Sequence, residues 1–204
     1  MDLQASPKAL EANPRLRERL TALCEEGWDI WSRFDTEVRL HAWHPFVAAD
    51  YESVLETLLT LRAPGLRFLE WGSAAGVITI MADLLGFEAC GIELDSSLVR
   101  VARELAAKYE SRARFADGSF LPGGYEWKHR SGDGRHGTIG QGVPGYAELG
   151  YLLEDFDIVF AFPWSGEEPM MHDVMRRYGS RQARLFLYGV TDGTEVYRGG
   201  RRER

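Results

Sequence analysis

Short apolar runs alternate with amphipathic segments through the central part of the chain, and this alternation predicts an α/β fold. The runs that we interpret as strands are 66–69, 89–94, 113–116, 157–162 and 183–190. The segment 77–85 is apolar nearly all round and stops at Gly86, as expected of a helix that packs on a sheet. Strands that alternate with helices favour a doubly wound, mostly parallel sheet.

The first 60 residues are predicted to be helical and to lie outside the sheet. Asn13 can cap a helix that opens at Pro14 and continues to Gly27, and Asp50 can cap a second helix. Aromatic residues follow Gly27 at spacings of three and four, namely Trp28, Trp31 and Phe34. We interpret this stripe as a surface that packs against the core, because aromatic side chains bury large areas.

Acidic residues close three successive predicted strands. Glu70 ends the first strand beside a glycine-containing turn, Glu93 ends the second, and Asp117 follows the third. The carboxyl ends of parallel strands meet at one edge of a sheet, which is where doubly wound folds bind ligands. Glu93 comes 21 residues after Gly72, and an acid there can accept hydrogen bonds from both hydroxyls of a ribose. The pattern therefore indicates a nucleoside-bearing cofactor. The alternative is a doubly wound domain whose acids only face solvent.

The turn that follows the first strand differs from a dinucleotide-binding loop. Such a loop has the pattern G-x-G-x-x-G, whereas here Ala74 replaces the middle glycine and Gly76 comes one residue early. Glu70 would also repel a pyrophosphate, but it suits a cofactor with a free ammonium group.

The pattern E-x-G-x-x-x-G, with an acid at the end of the second strand, resembles class I S-adenosylmethionine-dependent methyltransferases. The resemblance extends from about Tyr51 to Val190. It implies a Rossmann-like methyltransferase fold, S-adenosylmethionine as the cofactor, and methyl transfer to an acceptor that the sequence does not identify. The chain would then comprise a helical extension over 1–60, a Rossmann-like cofactor domain over 61–198 and a basic tail over 199–204, which we interpret as a solvated end.

The same resemblance implies which residues bind the cofactor. They are Glu70, Gly72, Ser73, Gly76, Glu93, Leu94, Asp117, Gly118 and Phe162. Glu70 would lie with the glycines at the methionine part, and Glu93 would hold the ribose. Asp117 would bind the adenine amino group, with the backbone amide of Gly118 nearby. The family usually ends in a two-strand hairpin, but only fourteen residues follow Val190, so we expect one short strand at most and a truncated sheet.

The fourth strand should end beside the reactive sulfur of the cofactor. Its end, Ala161-Phe-Pro-Trp164, resembles the Asp/Asn-Pro-Pro-aromatic motif of amino methyltransferases. Pro163 and Trp164 are kept and would face the acceptor, whereas Ala161 stands in place of the polar residue and Phe162 in place of the first proline. Amine methylation is thus permitted but not specified, and an ordinary strand exit is an equal alternative. We assign no catalytic residue; the candidate bases are Glu167, Glu168 and His172.

The segment 118–155 is rich in glycine, which precludes a long stable helix. It also carries aromatic residues, and it leaves the third strand on the ligand side of the sheet. We interpret it as a substrate loop, with disorder in the absence of cofactor as the competing interpretation. His41 and His44 have no third ligand at a recognisable spacing, so we predict no metal site.

Composition narrows the function classes further. The 204 residues carry a net charge of −7, which argues against a strongly electrostatic nucleic-acid binder but leaves local basic patches open. Arginines do cluster over 176–184 and again in the tail. Two cysteines without a C-x-x-C motif, and no apolar run long enough to span a bilayer, predict a cytoplasmic protein without membrane contact.

Two rival functions stay open on the sequence. A non-catalytic S-adenosylmethionine-binding module would explain the altered end of the fourth strand. A nicotinamide-dependent oxidoreductase would use the same fold, although Glu70 and the early Gly76 disfavour it.

Overall fold

The computed structural model describes residues 13–38, 46–63, 65–126, 142–164, 166–191 and 193–203. Its helices are α1 (Pro14–Glu37), α2 (Tyr51–Leu61), α3 (Val77–Leu84), α4 (Ser96–Lys108), α5 (Tyr146–Leu149) and α6 (Glu168–Tyr178). Its strands are β1 (Arg67–Trp71), β2 (Glu88–Glu93), β3 (Arg114–Asp117), β4 (Ile158–Ala161), β5 (Arg184–Gly189), β6 (Gly193–Arg198) and β7 (Arg201–Arg202). The strands form one sheet in the order β3-β2-β1-β4-β5-β6-β7.

The first five strands pair in parallel, which confirms the predicted doubly wound sheet. Alternate residues of β1 enter two separate cores, with Phe68 on one face and Leu69 on the other. Helices α1 to α4 contribute to the core on the Phe68 face, whereas α5 and α6 contribute to the core on the Leu69 face. Because both faces are covered, the strands are apolar. Because these five strands are parallel, their carboxyl ends meet at one edge of the sheet.

Helix α1 does not end at Gly27 but passes through it, and Gly27 is buried. A Cβ atom there would lie 2.8 Å from Val77 Cγ2 and 2.9 Å from Tyr51 Cε2. The glycine therefore allows α1 to cross closely over the start of α3. Farther along α1, Trp31 and Phe34 pack with the cluster that contains Ala75 and Leu98, as the stripe interpretation predicts.

We expect Gly27→Ala to destabilise the fold by about 1 to 2 kcal/mol, although alanine is the better helix former. The added methyl group would collide with the β-branched Val77 and the buried Tyr51 ring, neither of which can move cheaply. Urea unfolding measures the difference. Ala22→Gly, at an exposed position of the same helix, reports helix propensity alone and should cost about 1 kcal/mol. A Gly27→Ala variant more stable than wild type would contradict the close crossing.

The expected truncation of the hairpin after β5 is wrong. Strand β6 pairs antiparallel with β5, and β7 pairs antiparallel with β6. Gly199 and Gly200, at φ 56° and 75°, form the turn between them, so this hairpin needs only two connecting residues. Glu203 then accepts a hydrogen bond from Arg184 Nε of β5 at 2.8 Å and forms an ion pair with Arg198 of β6, whose Nε atom also lies 2.8 Å away. Residues 201–203 are thus part of the sheet edge rather than a solvated end.

Among the described residues, every helix is too short or too polar to traverse a lipid bilayer.

Candidate cofactor site

Glu70, the first of the three predicted acids at the carboxyl edge of the sheet, is buried, with 5 % of its surface exposed. Its Oε2 atom accepts hydrogen bonds from the backbone N–H of Thr79, at 2.9 Å, and from the Thr79 hydroxyl. Burial raises the pKa of Glu70 to about 8, the two Thr79 hydrogen bonds oppose that rise, and the nearby Glu93 adds to it. Thr79 was not identified from the sequence, although a polar residue in the otherwise apolar first turn of α3 was the available signal.

The turn over 72–76 is fixed on β2 by backbone hydrogen bonds. The amides of Gly72 and Ser73 both donate to Ile92 O, at 2.9 and 3.0 Å. Gly76 has φ 77° at the start of α3, and a Cβ atom there would lie 2.6 Å from the Phe115 ring. The glycine is thus required both by the backbone conformation and by the close approach of β3. Ala74 also has a positive φ, 45°, in the place of a dinucleotide loop's second glycine.

Glu93 reaches this turn from the adjacent strand. Its Oε2 atom accepts from Ala74 N at 2.8 Å, and its Oε1 atom accepts from Asp95 N at 2.9 Å. Burial raises the pKa of Glu93, while the amides of Asp95, Ala74 and Leu94 lower it. The carboxylate therefore joins the glycine turn to the loop that opens α4, where Leu94 is half-buried.

The third predicted acid, Asp117, is exposed at the end of β3 and lies opposite Glu93 in the β2–β3 register. The amide of Gly118, which the resemblance implies to lie near the adenine, donates to Glu93 O at 2.9 Å and is therefore already engaged within the sheet. Gly118 serves a close approach instead, because a Cβ atom there would lie 2.3 Å from Val143 O. This structural role was not predicted from the sequence, and the assignment of Gly118 to the cofactor stays a prediction.

The described end of the glycine-rich segment returns to this strand end. Ser119 N donates to Val143 O and Gly145 N donates to Ser119 O, both at 2.9 Å. The Tyr146 hydroxyl accepts from Trp71 Nε1 at 3.0 Å and donates to Phe120 O at 2.6 Å. The segment is therefore attached beside the candidate site at both described ends. Its part over 127–141 lies outside the described residues, as do the interpretations made of it.

A cleft opens beside the glycine turn and is walled by the segment before α2 and by β4. Its lining includes Phe46, Tyr51, Glu70, Ser73, Phe160 and Phe162. Phe162 is held edge-on against the Tyr188 ring, with the centroids 4.9 Å apart. Tyr51 is buried close to Glu70, and its desolvation together with that carboxylate raises its pKa. Both Phe46 and Tyr51 belong to the segment 44–51, whose position in the sequence resembles that of a segment that closes over the cofactor in some methyltransferases, although neither was assigned individually.

The residues predicted to face the acceptor, Pro163 and Trp164, are half-buried just beyond Phe162. Glu167 is 2 % exposed, and its Oε2 atom accepts from Trp164 N at 2.8 Å. Of the other two candidate bases, Glu168 is exposed, and His172 lies edge-on against the Tyr197 ring. Of the three, Glu167 is the one with a described hydrogen bond to the predicted acceptor side.

Among the described residues, no group of three or more His, Cys, Asp and Glu side chains is placed to hold a metal ion. His41 and His44 lie outside the described residues.

Comparisons with known proteins bear on the fold more than on the reaction. No protein-family model matches the chain. A ribosomal protein L11 methyltransferase of Thermus thermophilus is 31 % identical over 100 residues, which are 40 % of this chain and 39 % of that protein. The chain thus spans well under half the length of this curated relative.

Solved structures are similar over more of the chain. Precorrin-6y C5,15-methyltransferase from Geobacter metallireducens superposes with a TM-score of 0.50 at 19 % identity, covering 74 % of this chain and 69 % of that one. An RNA methyltransferase from Salinibacter ruber, solved in complex with S-adenosylhomocysteine, gives a TM-score of 0.49 at 16 % identity, covering 71 % and 87 %.

Proposed function

We propose that this chain, which has the Rossmann-like fold of class I S-adenosylmethionine-dependent methyltransferases, binds S-adenosylmethionine and transfers its methyl group to an acceptor. The observation that carries the proposal is the convergence of two carboxylates on one turn. Glu70 lies buried below the turn over 72–76, and Glu93 bonds to its Ala74 amide from the next strand. A nucleoside with a cationic amino-acid end matches this pair, since the ribose hydroxyls and the ammonium group are all donors.

The polar groups of the cleft fit that amino-acid end. No lysine or arginine is among the described residues that line the cleft. The ammonium group of the ligand would therefore be the cationic partner of Glu70. Ser73 Oγ is buried in the same lining without a hydrogen-bond partner. A buried hydroxyl without a partner is costly, and the carboxylate of the cofactor can accept its hydrogen bond. A pyrophosphate in this cleft would instead meet Glu70, which disfavours a nicotinamide cofactor.

The chain's own residues then have to position the cofactor and the acceptor and to enclose them. The bound cofactor would supply a methyl group on a positively charged sulfur, which is activated for transfer without help from the protein. Phe160 and Phe162 give the cleft an apolar wall that excludes water, and Tyr188 fixes the Phe162 ring. Such positioning is the principal contribution that methyl transfer requires of a protein.

We place the acceptor beside Pro163 and Trp164. Glu167 stabilises this region through two hydrogen bonds to the backbone of Trp164. Its carboxylate accepts from Trp164 N, and Glu167 N donates to Trp164 O at 3.0 Å. Glu167 is therefore a positioning residue for Trp164 in this proposal. The aromatic face of Trp164 can stack on a planar acceptor or stabilise a cationic one.

Calorimetric titration with S-adenosylhomocysteine tests the cofactor assignment. We expect binding in the micromolar range, roughly −8 kcal/mol, and no detectable binding of NADH. Binding of NADH instead of S-adenosylhomocysteine would overturn the proposal. Formation of S-adenosylhomocysteine from S-adenosylmethionine with amine, protein and RNA acceptors then separates an enzyme from a non-catalytic module. Ala161, which is apolar where amino methyltransferases have a polar residue, is the feature that favours the non-catalytic module.

We also place the protein in the cytoplasm. Cys24 and Cys90 are free thiols, Cys90 within the buried core, and this is the usual state of cysteines in a reducing compartment.

A further inference from the structure

The arginines at the C-terminal end of the sequence collect around one open edge of the sheet. Residues 176–204 contain eight arginines and three acidic residues, although the whole chain carries a net charge of −7. The two arginine clusters are separated along the chain by β5 and β6. The antiparallel hairpin β6–β7 folds the second cluster back beside the first.

The strand register divides these arginines between the two faces of the edge. Arg184 lies opposite Arg198, and Arg198 lies opposite Arg201, so the three form a row across β5, β6 and β7. Residues directly opposite one another in a sheet share a face. The other face carries the row Leu185, Tyr197 and Arg202. Positive charge therefore surrounds the edge instead of lying on one side of it.

A groove of about 810 Å³ runs between α6 and this second face. On the α6 side its lining extends from Pro169, five residues after Trp164, to 179–181, before the start of β5. Its polar lining consists of His172, Asp173, Arg176, Ser180, Arg181 and Tyr197. The groove thus begins near the acceptor side of the proposed active site and continues along α6.

The acids near the groove do not neutralise its arginines. Asp173 is shared by Arg176 and by Arg177, whose Nε atom lies 2.8 Å from it. Glu195 pairs with Arg202 at 2.6 Å and also accepts a hydrogen bond from Tyr197. Arg181 is exposed and has no ion-pair partner within the part of the chain that the structure describes. The side chain of Arg176 is 70 % exposed, so its outer N–H groups are open to an additional acceptor.

We propose that this groove binds a single-stranded nucleic acid. Guanidinium groups fit phosphates in a bidentate manner, and Arg176 and Arg181 present two of them along the groove. The rings of His172 and Tyr197 lie in the same lining with centroids 4.6 Å apart, and unpaired bases stack on such rings. An acidic peptide would satisfy the arginines but leave the rings unused. A duplex keeps its bases paired inside the helix, so they would not stack on these rings.

Fluorescence anisotropy with a short labelled single-stranded RNA, without cofactor, tests this inference independently of the proposed methyl transfer. We expect the double variant Arg176→Ala/Arg181→Ala to bind the RNA about tenfold more weakly than wild type. The dependence of log affinity on log salt should also become flatter by about 0.7 for each phosphate that the variant no longer neutralises. Arg15→Ala/Arg17→Ala, at two exposed positions on the first turns of α1, removes the same net charge and should change the affinity less than about twofold.

Three outcomes would overturn the inference: equal RNA affinity of wild type and the groove variant, an equal loss in the α1 variant, or equally tight binding of the duplex or of an oligoglutamate. Calorimetry with S-adenosylhomocysteine should give the same affinity for the groove variant and wild type, since neither arginine lines the cofactor cleft. If wild type binds RNA but not S-adenosylhomocysteine, the proposed function fails while the groove assignment stands.

Discussion

Glu93→Ala is expected to weaken the binding of S-adenosylhomocysteine by at least about 100-fold, because each hydrogen bond to a charged group contributes about 1.5 to 3 kcal/mol. Two effects add in this variant. The ribose loses its carboxylate acceptor, and the Ala74 amide loses the partner that holds it at 2.8 Å. Ala74 has φ 45°, a conformation that alanine rarely adopts. We therefore expect the turn to change its conformation when the hydrogen bond to Glu93 is removed. Calorimetry measures the loss.

The same strand supplies the matched control. Glu88 is the first residue of β2 and Glu93 is the last. Glu88 is exposed and pairs with Arg67. Glu88→Ala removes an equal charge at the opposite edge of the sheet, so cofactor affinity should stay within about twofold of wild type. Thermal unfolding of both variants shows how much of any loss reflects a damaged fold. A Glu93→Ala variant that binds as tightly as wild type would show that Glu93 neither contacts the ribose nor holds the turn in its binding conformation.

Local chemistry made the sheet and its helix caps predictable from the sequence. Asp95 accepts a hydrogen bond from Ser97 N and Asp50 accepts one from Glu52 N. Each aspartate directly precedes an amphipathic helix, as expected of a capping residue. The strands were recognisable because both faces of a parallel sheet are covered, which leaves few polar residues in them. The acids at strand ends followed from the same logic, since parallel strands place their carboxyl ends together.

Contacts between distant segments were not predictable in this way. Gly27 resembles a helix stop in the sequence, yet it is the point at which α1 crosses α3. Gly118 resembles half of an Asp-Gly turn, yet it makes room for the carbonyl of Val143. The short β7 strand depends on a two-residue turn and on one glutamate, Glu203, that two arginines share. In each case the role of the residue depends on a contact with a residue far along the chain. Hydrophobic periodicity does not reveal such contacts.

Glu70→Gln is expected to become more stable relative to wild type as the pH rises from about 5 to 8. The pKa of Glu70 is about 8 in the folded protein, above the 4.5 of an unburied glutamate, so between these values the folded state holds a proton that the unfolded state has released. Raising the pH through this window therefore removes stability from wild type, at up to about 1.4 kcal/mol per pH unit. The loss ceases above pH 8, where both states are ionised. Urea unfolding at several pH values measures it, and a pH-independent difference between the two proteins would contradict the burial of Glu70.

The same proton should govern the binding of the cofactor. Below pH 8 an ammonium group binds next to Glu70 only if the carboxylate ionises, so binding releases a proton and affinity rises by up to about tenfold per pH unit. Only above the pKa of its own amino group does the ligand lose its positive charge, and affinity falls again there. Affinity for S-adenosylhomocysteine should therefore rise up to about pH 8 and then level off before it falls. Calorimetry in buffers of different ionisation enthalpy counts the proton that is released below pH 8.

Methylthioadenosine is the matched ligand for this measurement, because it keeps the nucleoside and lacks the amino-acid end. Its affinity should show no rise between pH 6 and 8, and Glu70→Gln should remove the rise for S-adenosylhomocysteine as well. Glu93 and Tyr51 are the other titratable groups that influence Glu70, and the pKa of Tyr51 is raised, so it stays neutral throughout this range. A rise that persists in Glu70→Gln would assign the proton to Glu93. An identical rise with methylthioadenosine would show that Glu70 does not contact the ammonium group at all.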